Sequence, residues 1–259
     1  MAGLHHERRQ TMATQIWAHR GASSKAPENT MEAFEQAVRE GADGIELDVH
    51  LSADGIPVVI HDSTLERVSG EIGLVHDRTL AQLKRLDVSN PIPGYGIARI
   101  PALAEVYELI NPTGLIINVE VKSGLTTYPA FEQTLIALER QMGMRGRVFY
   151  SSFNPYTLMG LREQDPQAQI GFLYIGGWID AQQFALRLAA NALHPPVYAL
   201  EEPGFTEDCK RYGIALHTWA VEDDRDLLFA RRKGVQAVIT DRPAYTRELY
   251  EKTPLHPVV

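Results

Sequence analysis

The chain has 259 residues, 44% of them hydrophobic and 22% charged, which is typical of a soluble globular protein with two average domains or one closed α/β barrel. Its formal net charge of −8 argues against a non-specific nucleic-acid or anionic-membrane surface, and its one cysteine, Cys209, excludes an intrachain disulfide and a cysteine metal cage. No run approaches the ~18 apolar residues of a membrane span, and the first residues have no apolar core like that of a signal peptide. We expect a cytoplasmic protein with a disordered leader at residues 1–15.

The first predicted strand, residues 16–19, is a short apolar run that delivers His19 and Arg20 to a loop. A helix follows this loop. Asn29 and Glu32 have the spacing of an N-cap and a third helical position, and apolar residues then recur on one stripe. We therefore expect Asn29 to cap this helix.

The second predicted strand, residues 44–50, differs from an ordinary half-exposed strand in the kind of polar side chains that it carries. Glu46, Asp48 and His50 alternate with aliphatic residues, so one face of the strand holds three ligating or titratable groups. A surface hairpin with solvated acids is the alternative explanation, because acids that flank aliphatic runs usually face water.

A hairpin turn is predicted directly after this strand. Asp54-Gly55 separates it from a short aliphatic run that ends at His61, and Asp-Gly is a strong hairpin signal. A two-residue turn would place Asp48 opposite His61, while a three-residue turn would shift the pairing by one.

The rest of the chain alternates between predicted strands and helices. Further strands are predicted at residues 115–121, 147–151, 169–174, 191–199, 214–221 and 235–240, and further helices at 102–110, 129–142, 155–164, 180–190, 207–212 and 225–233. Eight strands, each followed by a helix, favour a TIM (β/α)8 barrel over an open doubly wound sheet. Residues 16–259 would form this single domain, with the turn-rich residues 62–100 as an insertion at the barrel mouth.

Candidate catalytic groups collect at the carboxyl ends of these strands, where the active sites of such barrels lie. Besides the groups on the first two strands, they are His61, Asn118, Glu120, Lys122, Ser151, Phe153, His217 and Trp219. Each of these residue types is common in structural roles, so their convergence at one end of the barrel carries the functional argument.

Three of these groups form a predicted metal site. Glu46, Asp48 and Glu120 would repel one another and raise one another's pKa unless a cation joined them, and an all-oxygen set suits a hard divalent ion. Arg20 and Lys122 beside that ion would bind an anion with tetrahedral oxygens, which points to phosphate.

Six motifs, in order, resemble the signature set of the glycerophosphodiester phosphodiesterases. They are His19-Arg20-Gly21, Pro27-Glu28-Asn29-Thr30, Glu46-Leu47-Asp48-Val49, His61-Asp62, Glu120-Val121-Lys122 and Thr240-Asp241-Arg242-Pro243. The resemblance covers about residues 15–250. It implies a TIM barrel, one divalent cation (Mg²⁺ or Ca²⁺), and hydrolysis of small-molecule glycerophosphodiesters to sn-glycerol 3-phosphate and an alcohol.

The resemblance also implies roles for individual residues. His19 and His61 would be the acid and base, and Glu46, Asp48 and Glu120 the metal ligands. Arg20, Lys122 and Trp219 would bind the substrate. Two further residues, His50 and Ser151, belong to the pocket wall or support it, and Asp241 would have a structural role.

Two other functions compete with this one. A phospholipase C- or D-like enzyme acting on phosphoinositide or lysolipid head groups would need an apolar rim facing a membrane. The insertion offers only scattered residues for that rim, namely Ile72, Leu74, Ile92 and Tyr95. A non-catalytic binding barrel would have lost one of the motif residues, and none is lost. We expect no nucleic-acid partner and no stable membrane association, and the sequence leaves the oligomeric state open.

Overall fold

A computed structural model describes residues 13–124 and 128–254, and its β-strands form one continuous sheet. The strands are β1 Gln15–His19, β2 Gly44–Leu51, β3 Pro57–Val59, β4 Ile116–Val121, β5 Val148–Ser152, β6 Gln169–Leu173, β7 Ala192–His194, β8 Ala215–Thr218 and β9 Ala237–Thr240. Most of the predicted leader, residues 1–12, lies outside the described residues. Gln15 already belongs to β1 and pairs with Ala237, so the predicted boundary at residue 16 is one residue late.

Eight of these strands close into a parallel barrel in the order β1, β2, β4, β5, β6, β7, β8, β9. Closure occurs at β1, where Ala18 lies opposite Ile45 of β2 on one side and opposite Thr240 of β9 on the other. The predicted (β/α)8 barrel is thus confirmed. The remaining strand, β3, pairs with β2 in an antiparallel hairpin.

Helices occupy every crossover between parallel strands, as parallel pairing requires. They are α1 Met31–Arg39, α2 Glu66–Ser69, α3 Leu80–Leu83, α4 Leu103–Ile110, α5 Phe131–Gln141, α6 Pro155–Gln164, α7 Ala181–Arg187, α8 Phe205–Tyr212, α9 Asp224–Lys233 and α10 Pro243–Lys252. Among the described residues, none of these helices has the length and apolar character to cross a bilayer.

Helix α1 shows one prediction that was wrong by a residue. Its N-cap is Thr30, whose side chain accepts a hydrogen bond from the backbone N–H of Ala33, and not Asn29. The helix then buries Ala33, Phe34 and Ala37 against the barrel, as the apolar stripe predicted. The side chain of Asn29 is consequently free for another task.

The hairpin of β2 and β3 has a three-residue turn instead of the two-residue turn favoured by Asp-Gly. The backbone N–H of Ser52 donates to the carbonyl of Ile56 at 3.0 Å, and the N–H of Ile60 donates to the carbonyl of Asp48 at 2.9 Å. Asp48 therefore lies opposite Ile60, as expected for a three-residue turn, and not opposite His61 as a two-residue turn would have placed it. His61 lies on the loop that follows β3.

The predicted strand at residues 191–199 is also wrong in extent. Strand β7 covers only Ala192–His194, and a 3₁₀ helix at Val197–Glu201 follows it. Pro195 and Pro196 account for the early end, because proline has no N–H to donate to a sheet.

Residues 62–100 form a small unit between β3 and α4 with a core of its own. It contains α2, a 3₁₀ helix at Val75–Asp77, and α3. The buried cluster consists of Val58, Ile60, Leu65, Val68, Val75, Leu83, Val88, Ala98 and Ile100. Because two of these residues come from β3 and the residue after it, the hairpin attaches the unit to the barrel.

The barrel interior below the C-terminal end is filled by aromatic rings. The ring of His217 lies 4.4 Å from that of Trp17 and 5.0 Å from that of Phe149, between centroids, and its Nδ1 is 3.0 Å from Nε2 of His194. Gly171 on β6 makes room for them. A Cβ atom there would lie 2.4 Å from Nε2 of His194 and 2.9 Å from Cε1 of Phe149.

Replacing Gly171 with alanine is therefore expected to destabilise the protein by about 1–3 kcal/mol, the usual cost of overpacking a filled core. Urea unfolding of Gly171→Ala measures this cost. The matched control is Gly177→Ala, because a Cβ at Gly177 meets no atom within 4 Å. Equal unfolding free energies for the two variants would show that the interior has spare room.

Candidate active site

A cavity of about 600 Å³ opens at the C-terminal end of the barrel. It is lined by His50, His61, Asp62, Ser63, Thr64, Glu120, Val121, Lys122, Ser123, Gly124, Ser152 and Phe153. Another cavity, of about 420 Å³, lies among the helix-to-strand connections at the opposite end, lined in part by Arg145 and Arg162. It contains none of the predicted functional residues, so we place the candidate active site at the C-terminal end.

The turn after β1 contains two consecutive residues with positive φ angles. Arg20 and Gly21 have φ angles of 55° and 83°, and a Cβ at Gly21 would lie 2.6 Å from the backbone carbon of Ala33. Glycine is therefore required there. The left-handed conformation of Arg20 directs its backbone N–H at Oε2 of Glu46, 3.0 Å away, and such strained residues cluster at functional sites.

The three predicted metal ligands come together at the mouth of the barrel. Asp48 on β2 is in register with Glu120 on β4, and Glu46 precedes Asp48 by two residues on the same face of β2. One carboxylate oxygen from each lies within 4.8 Å of the other two. This spacing can hold a metal ion.

Two cations accompany the three carboxylates. Nζ of Lys122 lies 2.8 Å from Oδ1 of Asp48 and also contacts Oε1 of Glu120. Nε of Arg20 lies 3.4 Å from Oδ2 of Asp48. The structure thus places both predicted phosphate-binding residues beside the predicted metal ligands.

The pKa values of these carboxyl groups show that the two cations do not balance the site. Burial and the charge of Asp48 raise the pKa of Glu46 to about 8, and burial also raises the pKa of Glu120. Burial opposes ionisation of Asp48 too, but Lys122 and Arg20 hold the pKa of its carboxyl well below the ordinary value. In addition, Oδ1 of Asp48 is buried and accepts a well-formed hydrogen bond from no described residue, although Lys122 is close. A bound cation would relieve both conditions.

Asn29 has a role that the sequence did not suggest. Its φ is 57°, and it is buried beside Asp48, to which its Nδ2 donates a hydrogen bond at 2.8 Å. Its Oδ1 accepts a second bond from the backbone N–H of Asp48 at 3.2 Å. The side chain predicted to cap α1 instead fixes the orientation of a predicted metal ligand.

Both predicted catalytic histidines are oriented in the same way. Nδ1 of His19 is 2.7 Å from Oδ1 of Asp241, and Nδ1 of His61 is 2.6 Å from Oδ1 of Asp62. Burial lowers the pKa of His19, but the bond to Asp241 and the charge of Glu46 outweigh it and raise the pKa overall. Because the carboxylates occupy both Nδ1 atoms, each Nε2 is left for chemistry. Asp241, expected to be structural, is thus the partner of a predicted catalytic group.

With this geometry established, comparison with known proteins decides the family. The chain matches the model of the Glycerophosphoryl diester phosphodiesterase family over residues 19–245. The chain belongs to this family. Its members are phosphoric diester hydrolases, so the protein is an enzyme of that class.

Individual relatives of this phosphodiesterase cover nearly its whole length. A protein named glycerophosphodiester phosphodiesterase from Caldanaerobacter subterraneus subsp. tengcongensis is 40% identical over 242 residues, which are 93% of this chain and 99% of the relative. A second protein named glycerophosphodiester phosphodiesterase, from Bacillus altitudinis, is 34% identical, and the match covers 89% of this chain and 95% of the relative. A solved structure of an Oleispira antarctica phosphodiesterase in complex with the product sn-glycerol-3-phosphate is 28% identical in sequence and superimposes with a TM-score of 0.79. The match covers 92% of this chain and 97% of the Oleispira chain.

His50 belongs to the wall of the cavity in the phosphodiesterase. Its Nε2 is 3.1 Å from the carbonyl oxygen of His61, which can only accept, so Nε2 carries the proton. Its Nδ1 then accepts from the hydroxyl of Tyr128 at 2.8 Å. Burial lowers the pKa of His50 to about 4, and the neutral ring therefore fixes the backbone at His61.

Ser151, predicted for the pocket wall, and Trp219, predicted to bind the substrate, lie at different depths. Ser151 is fully buried and accepts a hydrogen bond from Nδ2 of Asn118 at 3.1 Å. Trp219 packs its half-buried ring edge-on against Phe153, with the ring centroids 5.7 Å apart. Phe153 itself lines the cavity, so these two rings form one side of its mouth.

His217 was grouped with the chemistry at the strand ends, and the structure places it in the aromatic layer below. It is 5% exposed, and burial lowers its pKa to about 3. A folded-state pKa below the ordinary 6.5 means that the unfolded chain binds the proton more tightly. Stability from the neutral ring is therefore complete above pH 6.5 and is lost as the pH falls towards 3.

We expect the His217→Gln variant to show weaker pH dependence of unfolding than the wild type between pH 6 and pH 4.5. Loss of one such histidine removes up to about 1.4 kcal/mol per pH unit from the slope of the unfolding free energy. Glutamine keeps a hydrogen-bonding group towards His194. Denaturant unfolding at several pH values measures the slope, and equal slopes for the two proteins would contradict the assignment.

Proposed function

We propose that the protein hydrolyses glycerophosphodiesters to sn-glycerol 3-phosphate and an alcohol, using one divalent cation and the pair His19 and His61. The observation that carries this proposal is the meeting, at one barrel mouth, of three carboxylates, two cations and two carboxylate-oriented histidines. The product named for the Oleispira relative supports the choice of substrate class.

The cation would be held by Glu46, Asp48 and Glu120. Their oxygens suit a hard ion such as Mg²⁺ or Ca²⁺, and the raised pKa of Glu46 and the incompletely paired Oδ1 of Asp48 support this fit. When bound, such an ion supplies Lewis-acid polarisation of a phosphoryl oxygen.

Arg20 and Lys122 would bind the phosphoryl group from the same side. Nε of Arg20 is buried and faces Oδ2 of Asp48 at 3.4 Å without a well-formed hydrogen bond, so its hydrogen-bonding capacity is not fully used by the described residues. A phosphodiester carries one negative charge, and its pentacoordinate transition state approaches two. Fixed positive charge therefore stabilises the transition state more than the ground state.

The two histidines would transfer the protons. With Nδ1 bonded to a carboxylate, a neutral ring can accept a proton at Nε2 and a protonated ring can donate one there. One histidine deprotonates the attacking oxygen. That oxygen belongs either to water, or to the glycerol 2-hydroxyl, whose attack gives a cyclic phosphate that water then opens. The other protonates the leaving alkoxide.

A specific observation favours lysophospholipids as a second substrate class. The loop between β6 and α7, at the same end of the barrel as the cavity, exposes Ile175 at 72%, Trp178 at 43% and Ile179 at 89%. The sequence had offered only scattered apolar residues, all in the insertion. Isoleucine and tryptophan exposed at this end of the barrel are suited to contact an acyl chain or a lipid aggregate.

A coupled assay for glycerol 3-phosphate release tests the main proposal. Glycerophosphocholine, glycerophosphoethanolamine and glycerophosphoinositol are the candidate substrates, and choline release from lysophosphatidylcholine tests the second class. Release of glycerol 3-phosphate from none of the three diesters would overturn the main proposal. A higher kcat/KM on lysophosphatidylcholine would replace it with the second.

Metal dependence gives a separate prediction. Activity is expected to disappear in excess EDTA and to return with Mg²⁺ or Ca²⁺. The Glu120→Gln variant should bind the ion at least ~10-fold more weakly because it loses one anionic ligand. The Lys122→Met variant should bind it no more weakly and turn over more slowly.

Isothermal titration with each ion measures both affinities, without any need for activity. Lys122 directly follows β4, which carries Glu120, and the two side chains contact each other, so Lys122→Met is the matched control for a general disturbance of the site. Superimposable titrations for the wild type and Glu120→Gln would remove Glu120 from the ligand set.

The paired histidines give another prediction. His19→Ala and His61→Ala should each reduce kcat by at least ~10²-fold, and the double variant should be little worse than the worse single one. A nitrophenyl diester, whose leaving group needs no proton, should restore whichever variant lacks the general acid. The two-histidine mechanism fails if neither variant is rescued, or if either retains near wild-type turnover on glycerophosphocholine.

A further inference from the structure

Arg67, in the insertion, contacts two carboxylates that belong to different parts of the site. Its Nε donates to Oδ2 of Asp62 at 2.5 Å, and its two terminal nitrogens donate to the two oxygens of Glu28 at 2.8 Å each. The guanidinium therefore bridges the loop after β3 and the loop after β1.

Each of those carboxylates holds one residue of the proposed catalytic machinery. Asp62 uses its other oxygen for Nδ1 of His61, at 2.6 Å. Glu28 also accepts from a terminal nitrogen of Arg20, at 2.9 Å. The five side chains thus form one continuous chain of alternating charge, with His61 at one end and Arg20 at the other.

We infer that Arg67 is a positioning residue that sets His61 and Arg20 relative to each other through Asp62 and Glu28. The inference rests on the proposed function, because it gives Arg67 the task of aligning a proton-transfer group with a phosphate-binding group. Arg67 lines no part of the cavity itself. It acts only through its two carboxylate partners.

The geometry requires arginine and not simply a positive charge. Three donors of one rigid fork point at two carboxylates in different directions, a pattern that a single ammonium group cannot reproduce. Burial opposes ionisation of Glu28 and Asp62, yet their bonds to Arg67 help to hold both pKa values below the ordinary range. Both partners therefore stay ionised and keep their bonds at neutral pH.

The insertion fixes the position of Arg67 from behind. Its neighbour Val68 is 4% exposed in the buried cluster of the insertion, on the same short helix α2. The core of residues 62–100 therefore sets the backbone from which Arg67 reaches the site. The insertion thus contributes Arg67 to the site in addition to Asp62.

The test compares Arg67→Met and Arg67→Lys with the control Arg78→Met. Arg78 is also in the insertion, but its side chain donates to the carbonyl of Ile72 and lies outside this chain of charges. We expect Arg67→Met to lower kcat on glycerophosphocholine by ~10–100-fold, the usual effect of removing a residue that orients a catalytic group. Arg67→Lys should restore less than a third of the kcat lost in Arg67→Met. Arg78→Met should keep wild-type turnover.

A double variant separates positioning from general destabilisation. If Arg67 sets the position of His61 relative to Arg20, adding Arg67→Met to His61→Ala should change kcat by less than about 2-fold, because one of the two groups to be aligned is gone. A fold-change equal to that of the single Arg67→Met variant would overturn the inference. So would full activity in Arg67→Met or in Arg67→Lys.

A measurement without turnover keeps the result independent of the proposed function. The ring nitrogens of His61, observed by NMR in the substrate-free protein, should show the Nδ1–H tautomer in the wild type and in Arg78→Met. In Arg67→Met the Nε2–H form should gain population, while the ring of His19 stays unchanged. An unaltered His61 ring would overturn the inference, whereas absence of activity in the wild type with an altered ring would count against the proposed function alone.

Discussion

The mutual repulsion of three carboxylates at one barrel mouth is the constraint on which the rest of the site depends. Asp48 is the most confined of the three, because it faces Glu46 and Glu120 and takes contacts from Lys122 and Arg20. Like charges held this close in a buried place are costly unless positive charge is present. The turn after β1, the left-handed Asn29 and the half-buried Lys122 all help to hold this arrangement.

Orientation of the histidines follows from a second set of carboxylates placed farther out. Asp241 and Asp62 each occupy one ring nitrogen, and Ser23 adds a bond to Asp241 at 2.9 Å. His50 fixes the backbone at His61 through a neutral ring. The site thus has an inner group of carboxylates suited to a cation and an outer group of carboxylates that sets the tautomers of the two histidines.

Much of this arrangement was predictable, because strand alternation assigns each side chain to a face. It correctly grouped Glu46 with Asp48, and Glu120 with Lys122. Alternation does not report how deep a residue lies along the barrel axis, since depth depends on the register between strands. His217 shares the inner face but lies in register with Ala237, at the first residue of β9 and far from the mouth.

The other misses have local causes. Asn29 has cap chemistry, but its backbone conformation turns the side chain towards Asp48. The hairpin register depended on one residue of turn length, which Asp-Gly does not fix. Arg67 lies on the four-residue helix α2, and Tyr128 lies three residues before α5, so neither belongs to a segment long enough for periodicity to mark a residue that points inwards. The Pro27-Glu28-Asn29-Thr30 motif was the one available sign that the first loop does more than start a helix.

The contact between His19 and Asp241 joins residues 222 positions apart, at the seam where the first and last strands of the barrel meet. A chain whose synthesis has passed β4 but not reached β9, or one cut between β4 and β9 and separated, has all three acids of the cluster but cannot orient this histidine. Long-range contacts of this kind form late, because the entropy of closing so large a loop must be overcome first. In the proposed mechanism, catalytic competence is therefore a property of the closed ring, because local opening at the contact between β1 and β9 releases His19 while most of the barrel stays folded.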